Sequence, residues 1–319
     1  MTRKVAFLFP GQGAQYPGMG KDFALAFTAA RLTFEEADDL LSLPLSKVIF
    51  EGPENLLTET RYSQLAIFVN SVAILRTVHT QLPDLLPAVC AGLSLGEYTA
   101  LFASGSLDFA RTLGLVRLRG EFMHQACLST SGAMSAILGL SANEVEEKVK
   151  SLHPPHDVWV ANFNCPGQTV VSGTKEGVEA AEAALKAIGA KRAIPLQVAG
   201  AFHSGLMRQA EEALAPWVNQ APLQEGKAAL VMNVPGDVVT DIEEIKRNLI
   251  RQVTSSVRWE QSIQAIEKKG DIALYLEIGC GKTLSGLNRK IGVKVPTLSL
   301  DKVADLDGLA KQLEGVCIS

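Results

Sequence analysis

Ser94 lies in the run Gly92-Leu93-Ser94-Leu95-Gly96, after the apolar stretch 88–91 and before the good helix formers of 97–103. A serine flanked by glycines at a strand-to-helix turn is the context of a GxSxG nucleophile elbow, where a sharp turn presents the hydroxyl. The start of the following helix would aim the Leu95 amide at an oxyanion formed beside Ser94. The pentapeptide alone is a weak pattern, and a purely structural serine turn is the alternative reading.

A serine hydroxyl is a poor nucleophile unless a base takes its proton, and histidine is the usual base. Four of the five histidines have plain explanations. His79 lies in a polar stretch before Pro83, His124 falls on a helix, and His153 and His156 bracket Pro154-Pro155 in a turn. His203, in Gly200-Ala201-Phe202-His203-Ser204, stands where the chain leaves one α/β unit and enters another. Gln12, in Phe9-Pro10-Gly11-Gln12-Gly13, follows the first apolar run. A dinucleotide fingerprint would need a glycine at position 16, which holds Tyr16. By itself the segment reads as turn chemistry with a polar group at a strand end.

Arg119 has Leu115, Val116, Phe122 and Met123 as its helical neighbours, so its guanidinium is expected to point into apolar surroundings. Arg117 instead has Glu121 four residues on, a candidate ion-pair partner. A buried cation must be paired, either by a distant acidic residue or by a ligand carboxylate. Composition alone favours the structural pair. Near the C-terminus, Leu276-Glu277-Ile278-Gly279-Cys280-Gly281-Lys282-Thr283 ends like a P-loop, but Leu276 stands where its first glycine belongs. This run reads as a strand, a glycine-rich turn and a helix start.

The elements that must position these groups follow an α/β pattern. Buried runs such as 5–9 and 88–91 alternate with helical segments such as 107–126. Between 133 and 198 the order is strand 133–138, helix 142–152, strands 158–162 and 169–172, helix 176–188 and strand 193–198, the βαββαβ unit of a ferredoxin-like domain. One large domain is therefore expected from 1–128 and 200–319, with 129–199 inserted as a small domain and the cleft between them as the ligand site. The 319 residues suffice for two such units.

Hydrophobic residues at 47% and charged residues at 20% are those of a globular chain. Thirty Lys+Arg against 34 Asp+Glu, with basic residues in pairs and no tracts, argue against nucleic acid. The run 65–75 is too short to span a membrane, and 5–9 too short for a signal peptide. Five cysteines without a CxxC pair argue against disulfides and zinc and fit the reducing cytoplasm.

Taken together, Phe9-Pro10-Gly11-Gln12-Gly13, Gly92-Leu93-Ser94-Leu95-Gly96-Glu97-Tyr98, Arg119-Gly120, Gly200-Ala201-Phe202-His203-Ser204 and Gly281-Lys282 resemble the malonyl-CoA:acyl carrier protein transacylase family of fatty acid synthesis, over nearly the whole chain. That resemblance implies a hydrolase-like large domain with a short parallel sheet and a ferredoxin-like insertion, in agreement with the element order. It implies ping-pong transfer of a malonyl group from CoA, the substrate, to the phosphopantetheine thiol of acyl carrier protein, without metal or redox cofactor. Ser94 would be the nucleophile and His203 the base, with an oxyanion hole from the amides of Gln12 and Leu95. His203 would be oriented by a main-chain carbonyl near Gln252, and Arg119 would fork the malonyl carboxylate. Gln64 and Asn162 match positions that line the pocket. Leu93 departs from the histidine many members carry there, which removes any hydrogen bond made by that side chain. The rival readings are a serine hydrolase or thioesterase, a trans-acting polyketide synthase acyltransferase, and a noncatalytic binding module. Lys191, Arg192, Arg289 and Lys290 are expected to form the rim that meets the acidic carrier and the CoA phosphates.

Overall fold

The computed structural model describes residues 4–198 and 200–314, so Arg3, Ala199 and Cys317 lie outside the described residues. Among the described residues, ten strands form two sheets: β1 Lys4–Phe9, β2 Pro87–Gly92, β3 Gly132–Leu138, β4 Val158–Cys165, β5 Gln168–Thr174, β6 Arg192–Pro195, β7 Ala229–Met232, β8 Asp237–Val239, β9 Ile272–Ile278 and β10 Thr297–Leu300. The larger sheet has the order β10-β9-β1-β2-β7-β8. Every neighbouring pair is parallel except β7 with β8.

β1 is central, and its continuous apolar run is explained by helices covering both faces of a parallel sheet. Val5, Phe7 and Phe9 enter one core, while Ala6 and Leu8 enter the other beside Trp259 and Tyr275. The helix Thr60–Gln81 is buried on nearly every side, which accounts for the apolar run at 65–75. No described helix is long and apolar enough to cross a membrane. Cys90, Cys127, Cys165 and Cys280 are all free thiols.

The second sheet, β4-β5-β3-β6, is antiparallel throughout and carries the helices Ala142–Leu152 and Lys175–Ala187. The first helix starts at the expected residue, and the second starts one residue before the expected 176. Ser141 and Glu144 form a capping box, and Thr174 caps the second helix through the Gly177 amide. β6 ends at Pro195, earlier than the expected strand 193–198, although the next amide, that of Leu196, still donates to the Met134 carbonyl at 2.9 Å. β4 runs three residues past the expected 158–162, pairing with β5 as far as Cys165 opposite Gln168. We propose that these elements constitute the small domain expected at 129–199.

The run that ends like a P-loop is β9, a turn and the helix Thr283–Ile291. Buried Glu277 accepts from the Leu284 amide at 2.8 Å and the Ser285 amide at 2.9 Å. That helix start is therefore already occupied by a carboxylate of the protein itself, and a phosphate would find those donors taken.

In the register of β1 and β2, Phe9 lies opposite Gly92, so the strands end side by side and release the Gln12 turn next to the Ser94 turn. Packing there is tight enough to demand glycine. A Cβ on Gly92 would stand 1.9 Å from the Gly96 carbonyl carbon, and one on Gly96 would stand 2.1 Å from the Phe9 carbonyl oxygen. Gly96→Ala is expected to lower the unfolding free energy by about 1–3 kcal/mol, the usual cost of forced overpacking. Urea unfolding measures it, and a variant as stable as the parent would show that the turn opens freely.

Candidate active site

Ser94 occupies the left-handed region, with φ of 53°, a conformation that a residue bearing a side chain keeps only when its surroundings enforce it. Three hydrogen bonds enforce it here. The Ser94 amide donates to Asn233 Oδ1 at 2.7 Å, Asn233 Nδ2 donates to the Gly92 carbonyl at 2.7 Å, and Gln252 Nε2 donates to the Ser94 carbonyl at 2.9 Å. Asn233 had no place in the sequence reading. It immediately follows β7, the parallel neighbour of β2, and only sheet pairing brings it to a residue 139 positions away.

The Ser94 hydroxyl lies 2.8 Å from His203 Nε2. On the other side of the ring, Nδ1 lies 2.8 Å from the Gln252 carbonyl oxygen. A carbonyl only accepts, so Nδ1 carries the proton and Nε2 presents its lone pair to the serine. His203 is itself left-handed, with φ of 57°. Burial, then the positive charge of Arg119, lower its pKa to about 4, against the opposing hydrogen bonds to the main chain at Gln252 and Ser255.

Arg119, on the helix Phe109–Ser129, is 1% exposed. Its Nη1 donates to Gln64 Oε1 at 2.6 Å, and its Nη2 donates to Gln252 Oε1 at 2.9 Å and to Ser94 Oγ at 3.1 Å. The Tyr98 ring lies 5.5 Å from the guanidinium carbon. No carboxylate comes within 4.0 Å of Arg119 among the described residues, so the direct structural ion pair favoured by composition is not formed. Nε is buried without an acceptor among the described residues. The candidate pair Arg117 and Glu121 is not formed either; both line a surface hollow.

Ser94, Arg119 and His203 line one cavity of about 200 Å³, together with Gln12, Asn162 and Phe202. A larger hollow of about 440 Å³ also includes His203, with Trp159, Arg251 and Arg258, but it does not include Ser94. Asn162 thus stands where a pocket residue was expected. Gln64 and Gln252 do not line the cavity; they stand behind Arg119 and hold it. The amides of Gln12 and Leu95 donate to no acceptor among the described residues, which leaves two donors near the serine free for an oxyanion.

Lys191, Arg192, Arg289 and Lys290 are all exposed and free of ion pairs among the described residues. Lys290 Nζ donates at 3.0 Å to Gln168 Oε1, and Gln168 lines the Ser94 cavity. On β3, Leu138 pairs with both Gln168 and Arg192, which sets Arg192 two strands away from that cavity residue. The described residues contain no His, Cys, Asp and Glu cluster that could hold a metal ion.

Residues 6–279 match the family described as the acyl transferase domain. The malonyl CoA-acyl carrier protein transacylase of Bacillus subtilis is 43% identical over 93% of each chain, and that of Haemophilus influenzae is 38% identical over 98% of this chain and 99% of its own. Among solved structures, a malonyl-transacylase in complex with its type II PKS acyl-carrier protein superposes with a TM-score of 0.92 at 37% identity, over 98% of this chain and 99% of that one. An acyl carrier protein S-malonyltransferase from Vibrio cholerae gives 0.91 at 39% identity, over 96% and 99%. The chain belongs to the malonyl CoA-acyl carrier protein transacylases, within the acyl transferase domain family.

Proposed function

We propose that this protein moves a malonyl group from CoA to the phosphopantetheine thiol of an acyl carrier protein in fatty acid biosynthesis, by way of a malonyl-Ser94 ester. The observation that carries the reading is Arg119, a buried cation bonded to Ser94 Oγ, with a donor to spare and no carboxylate of its own. A guanidinium offers two parallel donors to a carboxylate, which a hydrolase of neutral esters has no use for.

In the first half-reaction, the Ser94 proton passes to His203 Nε2 as Oγ bonds to the thioester carbonyl carbon. The oxyanion is held by the amides of Gln12 and Leu95. As the C–S bond breaks, CoA leaves as a thiol with the proton from His203. The carrier thiol then gives its proton to the same nitrogen and attacks the ester, and Ser94 takes the proton back. These steps use the chain's own groups and the thioester, without a further cofactor. Cytoplasmic location fits the free thiols.

Arg119 also acts on the base. Its charge lowers the His203 pKa, so a substrate carboxylate that neutralises it makes His203 a stronger base. Malonyl would thereby assist its own transfer, which an acetyl group cannot do. The basic rim beside Gln168 suits an acidic carrier, and transfer to it should weaken as salt rises. The solved relative bound to a type II PKS carrier supports a second reading, in which the carrier serves polyketide synthesis.

Loading of Ser94 from malonyl-CoA and from acetyl-CoA, followed by intact-protein mass spectrometry, tests the proposal. Arg119→Ala leaves the malonyl carboxylate unpaired, a loss of about 3–5 kcal/mol by analogy with broken buried pairs. Malonyl loading should fall by roughly two to four powers of ten, at about 1.4 kcal/mol per tenfold. Acetyl loading, which needs no carboxylate fork, should fall far less. A malonyl-to-acetyl ratio that stays put would reopen the hydrolase reading.

The pH profile gives a separate check. With the His203 pKa near 4, the neutral base is present at any higher pH, so malonyl loading by the free enzyme should rise through pH 4 and be level by pH 6. In Arg119→Ala, removal of the lowering charge should move that limb up in pH. A wild-type limb centred near 6.5 would contradict the buried, charge-depressed base.

A further inference from the structure

The charge on Arg119 still lacks an account within the protein, since its contacts are two neutral side-chain amides and a hydroxyl. Glu97 is fully buried on the first turn of the helix Gly96–Ala103, three residues beyond Ser94. No cation lies within 4.0 Å of it among the described residues. Its Oε1 accepts from Gln252 Nε2 at 3.0 Å, and its Oε2 accepts from the Asn233 amide. The other end of the same Gln252 amide, Oε1, accepts from Arg119 Nη2 at 2.9 Å.

We propose that Glu97 is the counter-charge of Arg119, acting through the side-chain amide of Gln252, and is a positioning residue for both the acyl-pocket cation and the Ser94 turn. A direct ion pair would occupy the guanidinium edge that a substrate carboxylate needs. An interposed amide compensates the charge at one remove and leaves that edge available. The two charges also fix which way the amide points, because a flip would set NH2 against guanidinium and oxygen against carboxylate.

The consequences extend to the nucleophile. With its orientation fixed, Gln252 Nε2 also reaches the Ser94 carbonyl at 2.9 Å. Glu97 holds the Asn233 amide, and Asn233 Oδ1 receives the Ser94 amide at 2.7 Å. Burial raises the Glu97 pKa, while the Asn233 amide, Arg119 and Gln252 lower it, and because both oxygens accept from donors the site accommodates the ionised form. The carboxylate is thus costly to hold and is held by donors alone.

A double-mutant cycle tests this with Glu97→Gln, Arg119→Met and the pair, reading melting temperature and the rate of acetyl loading on Ser94. Acetyl loading needs the turn and the base but no carboxylate fork, so it remains informative if the malonyl reading fails. Glu97→Gln puts an NH2 against one of its two donors and leaves Arg119 uncompensated. It should lower the melting temperature and slow acetyl loading by about tenfold or more. In the Arg119→Met background the same change removes a stranded anion. The double variant should therefore melt about 4 °C or more above the sum of the single effects, and it should lose less of its acetyl rate. Folding of the double variant where Glu97→Gln alone fails would also support the coupling. Additive shifts in both readouts, or a double variant that fails to fold while Arg119→Met folds, would overturn it.

Discussion

A guanidinium buried away from any carboxylate is the constraint around which this site is arranged. Removing a charge from water costs several kcal/mol unless hydrogen bonds and an opposite charge offset it. Here Gln64, Gln252 and Ser94 supply neutral oxygens, and Tyr98 supplies the face of a ring. One of these contacts serves a second purpose. Gln252 also presents its main-chain carbonyl to His203 and its side-chain nitrogen to the Ser94 carbonyl, so cation, base and nucleophile share one residue as their common support.

The second constraint is steric. Two left-handed residues, Ser94 and His203, face each other at 2.8 Å across the boundary of the two sheets. Such backbones persist only where packing over-determines them. Parallel strand ends supply that packing. β1, β2 and β7 lie side by side and deliver the Gln12 turn, the Ser94 turn and Asn233 to a single edge, the place where open α/β sheets bind their ligands. Gly92 and Gly96 allow the strand and helix to approach more closely than any Cβ would permit.

Much of this was legible from residue types alone. Apolar runs at 5–9 and 88–91 read as buried strands, and the βαββαβ order from 133 onward read through to the antiparallel sheet, because periodicity and caps are local signals. The apolar neighbours of Arg119 foretold its burial, though not what pairs it. The elbow pattern marked Ser94, whereas the roles of His203 and Gln252 came through resemblance. Asn233 and Glu97 stayed hidden, since their partners are set by sheet order and not by spacing. For the same reason Gln64 was expected in the pocket but stands behind the cation. The end of β6 was missed at Pro195, and the Arg117 and Glu121 pair on an exposed helix face does not form, as surface pairs of small net worth often do not.

The central claim is that the spare donors of Arg119 exist for a substrate carboxylate. A crystal structure of the protein loaded with malonyl-CoA measures this directly. The acylated Ser94 is expected to carry its free carboxylate within hydrogen-bond distance of Arg119 Nη2 and a second guanidinium nitrogen, with the ester carbonyl oxygen turned to the amides of Gln12 and Leu95. A carboxylate directed to solvent, with Arg119 holding only its protein partners, would contradict the account.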